Sequence, residues 1–327
     1  MSSYGPPRVT TNPYIVMLDR ELSSALGPAY ARFSFRHAFS TRYDVFHTHW
    51  TEATMSARTK PRAVAKQLVM LLAVLWMRAR RVAIVRTVHN IEPPSGLNIV
   101  ERLVLRLVDG GTRMRIVLNE TTKVPDGVPS VTIVHGDYRQ WFEPFARSEM
   151  IPGRLGYFGL IRRYKGVETL VESWLVAHEA DPRLSLRIAG RPSSQELADD
   201  LRRRAAGNSL IMLDLHFLDD AELVEVATES EVVVLPYRLM HNSGSVLAAL
   251  SLDRPVLVPD NEVNRRLAAE VGPGWIHVFD GELDADDIRR AVAAVRATTT
   301  GSPDLRRRTW DQVGSRHLAA YAQAAGR

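Results

Sequence analysis

The sequence predicts an α/β protein of two doubly wound domains, and three observations carry that prediction. Short apolar runs rich in Val and Ile alternate with helix-length stretches, the pattern of parallel strands covered on both faces. The alternation runs twice, with a break near 142–152, where Pro144 and Pro152 bracket a polar stretch. The 327 residues are enough for two domains of ordinary size.

Taken in order, the first series predicts strands at 14–18, 45–49, 83–88, 115–118 and 130–134, with helices over 60–80 and 97–108 between them. The longest apolar run, 68–77, lies inside the first of these helices and is far shorter than the roughly 20 residues that span a bilayer. Arg58, Lys60, Arg62 and Lys66 precede it, and Arg78, Arg80 and Arg81 follow. A buried helix is the plainer expectation. An interfacial helix resting on anionic lipid, with Trp76 near its end, is the sharper one. The second series predicts strands at 154–158, 184–189, 211–213, 232–235, 256–258 and 276–278, with helices near 166–179, 194–205, 220–228, 243–251 and 284–296. A last helical pattern, 305–325, follows the breaker Gly301-Ser302-Pro303. The expected domains are therefore 1–148 and 149–304, with 305–327 a C-terminal helix returning to the first. Open α/β sheets bind ligands at the carboxyl ends of their strands, so two facing sheets would enclose a cleft.

Composition narrows the chemistry. With no cysteine there is no disulfide framework, thiolate nucleophile or Cys-ligated metal. Residues 1–150 carry 20 Lys and Arg against 12 Asp and Glu, whereas 151–327 carry 22 against 25. The basic half fits a phosphorylated ligand or an anionic membrane surface. It lacks the aromatic-interleaved basic stripe of a nucleic-acid binder, so no nucleic acid is expected as partner. The polar start of the chain has no signal-like apolar segment, and a cytoplasmic protein is expected, peripheral on the inner face of the cell membrane. P-loop, nucleophile-elbow and simple dinucleotide-binding motifs are absent.

The unusual residues fall at strand ends. Gly159 closes a strand, and Arg162 and Lys165 follow it before a helix opens near Gly166. Gly159 allows a tight turn, and the two cations converge on an anion at the helix N-terminus. Ser243-Gly244-Ser245 opens a second apolar helix after the strand that ends before Pro236-Tyr237-Arg238; Gly244 leaves backbone N–H groups accessible and both serines cap or donate. In the first half His47 and His49 share one face of a strand end, and His89-Asn90 and His135-Gly136-Asp137 follow two further strands. With no evident third ligand, His-x-His is not expected to hold metal. Several strand-end histidines in one domain point instead to a polar site.

These residues carry a resemblance. The segment from Phe158 to Val167 resembles the G-x-[LI]-x-x-x-K-G loop of GT-B glycosyltransferases of the family-4 type. The stretch Leu186 to Pro192, with Arg191, is similar to the next strand and turn, and His216 to Leu223, with Phe217, to the segment near the nucleotide base. Val232 to Pro259 resembles the last donor-binding unit, and Thr87-Val88-His89-Asn90 the T-V-H-[DN] strand end. The resemblance implies a nucleotide-sugar donor on the second domain and an acceptor on the first. By position, Arg162 and Lys165 would neutralise the donor diphosphate, with Gly159, Arg191, Phe217, Asn242, Ser243, Gly244 and Ser245 lining the donor site. His89 would approach the donor sugar as a catalytic residue, and His49, Asn90, His135 and Asp137 would stand on the acceptor side. No metal and no cofactor are implied, since fixed cations stabilise the departing nucleotide diphosphate.

Two departures mark a divergent branch. The family's E-x7-E pair is replaced by Met240 and Ala248, with Asn242 and Ser243 as substitutes for the ribose contact. Thr10-Thr11-Asn12-Pro13-Tyr14 stands where the Gly-rich loop of the first strand belongs. The expected activity is hexosyl transfer from a UDP- or GDP-sugar to a hydroxyl of a glycan or polyprenyl-diphosphate-linked acceptor, as in cell-surface polysaccharide synthesis. The alternatives are a nucleotide-sugar epimerase on the same fold and a catalytically silent sugar-nucleotide-binding partner.

Overall fold

The computed structural model describes residues 1–8, 10–89, 96–298 and 301–326. Backbone contacts divide the chain into two units, Met1–Gly136 with Arg308–Arg327, and Asp137–Arg307.

The first unit opens with α1 (Pro13–Leu26) and α2 (Phe35–Ser40), then β1 (Val45–Thr48), α3 (Thr51–Met55), α4 (Lys60–Ala79) and β2 (Ala83–Val88). It continues with α5 (Ile99–Gly111), β3 (Thr112–Val117) and β4 (Ser130–Thr132). The strands are parallel in the order β1-β2-β3-β4, and Ser2 adds a parallel bridge to His47 outside β1. The expected strand at 14–18 is instead the start of α1. Asn12 caps that helix by accepting from the Tyr14 N–H (2.9 Å), and Pro13 occupies its first turn. Tyr14, Ile15, Leu18 and Leu22 then recur at helical spacing on the buried side. The first core gathers Phe46, Met55, Met70, Val74, Met77, Ile84, Val104 and Val108 between α4, α5 and the sheet.

α4 is apolar on two sides. Met70, Ala73, Val74 and Met77 are buried, while Val64, Leu68, Leu72, Leu75 and Trp76 are exposed. The plainer expectation of a buried helix therefore holds for one face of α4 only. No described helix is long and apolar enough to cross a membrane.

The second unit contains α6 (Arg139–Phe142), β5 (Arg154–Phe158), α7 (Val167–Ala180), β6 (Ser185–Ala189), α8 (Gln195–Ala205), β7 (Ile211–Asp214) and α9 (Asp220–Glu229). β8 (Val232–Val234), α10 (Gly244–Ser251), β9 (Val256–Pro259), α11 (Glu262–Val271), β10 (Ile276–Phe279) and α12 (Ala285–Thr298) complete it. Its parallel strands run β10-β9-β8-β5-β6-β7. β5 and β8 are neighbours, and the chain proceeds outward from each in opposite directions, which makes their carboxyl ends the topological switch point.

The crossing between units lies at 136/137, ahead of the expected break at 142–152. Residues after the crossing are tied into the second unit: the Tyr138 N–H donates to the Ser251 hydroxyl (2.8 Å), and Arg139 pairs with Asp253 (2.8 Å). The chain returns at Arg308, and α13 (Val313–Ala325) packs against α1, β2 and β3 of the first unit.

Candidate active site

In the second unit the loops after β5 and β8 meet at the switch point. Gly159 holds φ at +117°, and a Cβ there would lie 3.7 Å from the Ser245 hydroxyl and 3.9 Å from the Lys165 ammonium. Gly190, at φ +145°, is so near the Gly159 carbonyl that any Cβ would overlap it. The two glycines thus let the ends of β5 and β6 close on each other while the Gly159 backbone stays open toward Lys165 and Ser245. Lys165 donates to the Tyr237 hydroxyl (2.9 Å), with its ammonium 4.6 Å from that ring's centroid. Tyr237 donates in turn to the Ser245 Oγ (3.4 Å). A flexible ammonium is thereby held by a hydroxyl and a π-face over a glycine.

Ser243 caps α10, its Oγ accepting from the Val246 N–H (3.4 Å). The N–H groups of Gly244 and Ser245 lie in the first turn, where no carbonyl of the helix reaches them, and that end attracts anions. Arg162 is exposed and, among the described residues, has no hydrogen-bonded or ion-paired side-chain partner. Its neighbour Arg163 is engaged by Glu168 (3.5 Å) and Glu196 (2.8 Å). Arg191 is exposed in the loop after β6, its carbonyl accepting from the Ile161 N–H (3.0 Å). Asn242 is half-buried in the loop before α10. Phe217 is exposed after β7, two strands from β5. Met240 and Ala248 are buried; the Asn261 amide donates to the Met240 carbonyl (3.1 Å) and the Asn264 amide reaches its sulfur (3.4 Å). Apolar packing occupies the positions where the resembled family carries its two carboxylates.

The first unit collects imidazoles at its strand ends. His49 Nδ1 and His89 Nε2 are 2.9 Å apart, and the His89 ring stacks on Trp50 at 3.8 Å. His47 lies 2.7 Å from the Thr87 hydroxyl through Nε2 and 2.7 Å from the Tyr321 hydroxyl through Nδ1. His135 Nδ1 donates to the Gly136 carbonyl (2.8 Å), and its ring lies 4.5 Å from that of Tyr14. His317, on α13, donates from Nδ1 to the Val313 carbonyl (2.7 Å). All five are buried. Burial, then the neighbouring imidazoles, push His47 and His89 well below the usual histidine range. Burial lowers His49 to about 3, and His135 and His317 to about 4. The cluster is therefore neutral near pH 7, each ring offering one donor and one acceptor. Neutral imidazoles of this kind suit sugar hydroxyls and are weak bases.

The structure brings the expected catalytic residue His89 together with His49 of the expected acceptor side, with His135 joined to them through Tyr14. Asp137 stands at the crossing and groups with the second unit, where its carboxylate accepts from the Arg139 N–H (2.8 Å). Asn90 lies outside the described residues. Sequence reasoning missed Tyr237, Trp50 and the α13 pair His317 and Tyr321. Tyr237 had a signal, its place directly after the strand-end Pro236. The α13 residues had none, since they are brought in from the far end of the chain. Among the described residues no group of three His, Cys, Asp or Glu is arranged to hold a metal.

Two doubly wound parallel sheets, one with a cation and a helix N-terminus at its switch point, define the fold class of nucleotide-using GT-B transferases. Solved structures agree at the level of fold. Sucrose-phosphate synthase from Thermosynechococcus elongatus superposes with a TM-score of 0.59 at 15% identity, covering 98% of this chain and 81% of that one. The catalytic domain of starch synthase IV from Arabidopsis thaliana gives 0.53 at 10% identity, covering 88% and 74%. Residues 152–295 match the family described as glycosyl transferases group 1. The GDP-mannose:glycolipid 4-beta-D-mannosyltransferase of Xanthomonas campestris pv. campestris is 40% identical over 322 residues, 98% of this chain and 91% of that protein. The chain belongs to the group 1 glycosyltransferases. It is a hexosyl-transferring enzyme that takes its sugar from a nucleotide sugar.

Proposed function

We propose that this enzyme transfers mannose from GDP-mannose to a hydroxyl of a glycolipid. The observation that carries the reading is the 40% identity with the mannosyltransferase, which extends over 98% of this chain and 91% of that protein. The arrangement at the switch point supports the donor half. Lys165, held by Tyr237, and Arg162, unpaired among the described residues, neutralise the diphosphate as the glycosidic bond breaks. Gly159 admits the phosphates close to backbone, and the first turn of α10, from Ser243 to Ser245, adds N–H and hydroxyl donors. Arg191, Phe217 and Asn242 line the donor on its other sides. His89, neutral and stacked on Trp50, positions hydroxyls of the sugar, and His49 and His135 hold it there. Epimerisation needs acid and base carboxylates, and none of the expected donor-site residues carries one.

The enzyme works at the inner face of the cell membrane through the exposed side of α4. Val64, Leu68, Leu72, Leu75 and Trp76 form an apolar stripe, continued by Leu103 and Ile99 of α5. Exposed Arg58, Lys60, Arg62, Arg78, Arg80, Arg102 and Arg106 surround these helices, and Arg80 lies 5.3 Å over the Trp76 ring. Apolar burial in the interface with basic residues at the headgroups suits an anionic leaflet.

The test is calorimetric titration of GDP-mannose into the wild type and the Arg162→Ala, Lys165→Ala double variant, with a transfer assay on lipid-extract acceptors. The wild type is expected to bind and transfer, and the double variant to lose binding by roughly a hundredfold or more. Equal binding by both proteins sinks the donor assignment. Binding without transfer to any acceptor favours the silent partner.

A further inference from the structure

The first unit contains a cavity of about 500 Å³, of whose lining the donor reading involves only Trp50 and His49, through their contacts with His89. Its lining falls into three kinds. Trp50 and His49 form one wall, at the strand end that carries the imidazole pair. Phe33, Phe35 and Ile15 form an apolar wall. Arg8 and Lys66 supply two cations. Both cations are exposed, and among the described residues no carboxylate is spent on them: there Lys66 donates only to the Ser56 carbonyl (2.9 Å), and the Arg8 side chain has no partner. Among the described residues His49 Nε2 has no hydrogen-bond partner, a buried polar atom beside the cavity. Lys66 also lines an adjoining hollow of about 520 Å³ with Arg58 and Arg62, at the N-terminal end of α4. Polar ring edges, an apolar wall and a row of cations ending at the proposed lipid-facing helix fit one kind of molecule: a sugar joined through phosphate to an aliphatic chain.

We propose that this cavity binds the head of a phosphate-linked glycolipid, with the sugar against Trp50 and His49 and the phosphate held between Arg8 and Lys66. The assignment rests on the glycolipid-acceptor reading and adds to it a site and an anion. Arg8 and Lys66 act by charge and are positioning residues, distant in sequence and in unit from the cations Arg162 and Lys165.

Geranylgeranyl diphosphate and inorganic diphosphate serve as probes, each titrated into the full-length chain while tryptophan fluorescence is followed. Three proteins are compared: wild type, Arg8→Gln with Lys66→Gln, and Arg162→Ala with Lys165→Ala. The expected result is that the isoprenoid diphosphate binds the wild type and the Arg162/Lys165 variant alike. The Arg8/Lys66 variant should bind roughly tenfold or more weakly, and Lys66→Arg should restore most of the affinity. Trp50→Phe should abolish most of the fluorescence change. Loss in the Arg162/Lys165 variant alone, or inorganic diphosphate binding as tightly as the isoprenoid, places the probe in the donor site and overturns the proposal. Unchanged binding by the Arg8/Lys66 variant overturns it too. GDP-mannose titration of the same proteins reads the donor assignment separately: its failure leaves the cavity result standing, and the reverse. Co-sedimentation with phosphatidylcholine vesicles, with and without phosphatidylglycerol, separates the cavity from the α4 face. Leu68→Glu with Leu72→Glu should lower vesicle binding and leave geranylgeranyl diphosphate binding intact; loss of both identifies the probe as bound to the apolar face and overturns the cavity.

Discussion

The two units handle polar groups at their strand ends in opposite ways. The second keeps its charges charged. Lys165 is pinned at the switch point, and behind it Arg187 reaches Asp214, Glu225 and Glu229, each at 2.8 or 2.9 Å. The first unit buries five imidazoles together and holds them neutral. The contrast inverts what net charge implies. The acidic half of the sequence carries the fixed cations suited to a diphosphate, and the basic half keeps a neutral imidazole cluster, with Arg8 and Lys66 at the neighbouring cavity and its other surplus cations on α4, α5 and the loops near them. A local arrangement of two or three groups outweighs a domain's sum, because screened surface charge acts weakly while a partly desolvated cation beside a backbone N–H acts strongly.

The strongest way to break the second unit's arrangement is Gly190→Ala. A Cβ there overlaps the Gly159 carbonyl, and the +145° φ is one that L side chains rarely adopt. The neighbour is backbone of a central strand end, which does not give. The expected cost is roughly 3 kcal/mol or more, together with loss of donor binding. A melting curve with a normal midpoint for this variant would show that the ends of β5 and β6 separate freely, and the cradle would lose its rigidity argument.

The next effect belongs to the first unit and to acid. Its five buried histidines have folded-state pKa values below the unfolded value, so the unfolded chain binds protons that the native cluster refuses. Stability from these groups is complete above about pH 6.5 and falls as pH drops toward 4, where His135 and His317 protonate in place. At pH 5.5 each imidazole kept neutral costs about 1.4 kcal/mol relative to neutral pH. Hydrogen exchange measured against pH should show first-unit amides opening at mild acid while the second unit, held by ion pairs, stays protected. Simultaneous opening of both units would mean that the cluster is not the acid-sensitive element. His317→Gln, which removes one buried imidazole, should flatten the first unit's slope below pH 6.5.

Much of this was legible in the sequence, and unequally between the units. The second unit's strands were read to within a residue or two, since fully buried parallel strands are uninterrupted apolar runs bounded by Gly and Pro. Gly159, Lys165 and Ser245 were legible as strand-end residues, and the fold brings them together. The run at 14–18 misled because five apolar residues carry no period; the deciding signal was Asn12-Pro13, a cap and a first-turn proline, and it lies outside the run. The histidine cluster was half legible. His47, His49, His89 and His135 announce themselves at strand ends, but the Tyr321 hydroxyl that meets His47 arrives from 274 residues away. Nothing local encodes such a contact. The exposed stripe of α4 was half legible: its apolar run and basic flanks allowed an interfacial helix beside a buried one, but apolar residues on two sides of a helix say that burial is wanted and not what supplies it.

The finest comparison turns on one hydroxyl. If the second unit's site works through a pinned cation, Tyr237→Phe should matter although the ring, its packing and the charge of Lys165 all remain. The hydroxyl both accepts from Lys165 and donates to Ser245, so its loss frees the ammonium to sample other rotamers and leaves Ser245 without that donor. The ring is buried, and Phe keeps its shape, so the melting temperature should barely move. A hydrogen bond to a charged group corresponds to about 1.5–3 kcal/mol, and with water replacing part of it at this half-buried ammonium about 1 kcal/mol is expected to be lost, roughly a fivefold weaker affinity for the nucleotide sugar. Lys165→Ala in parallel gives the upper limit of that loss. A Tyr237→Phe variant that binds GDP-mannose as tightly as wild type, beside a Lys165→Ala variant that does not, would show that the cation needs no holding. The two units would then differ only in charge, and the rigid cradle drawn around Gly159 would reduce to a flexible lysine near a helix N-terminus.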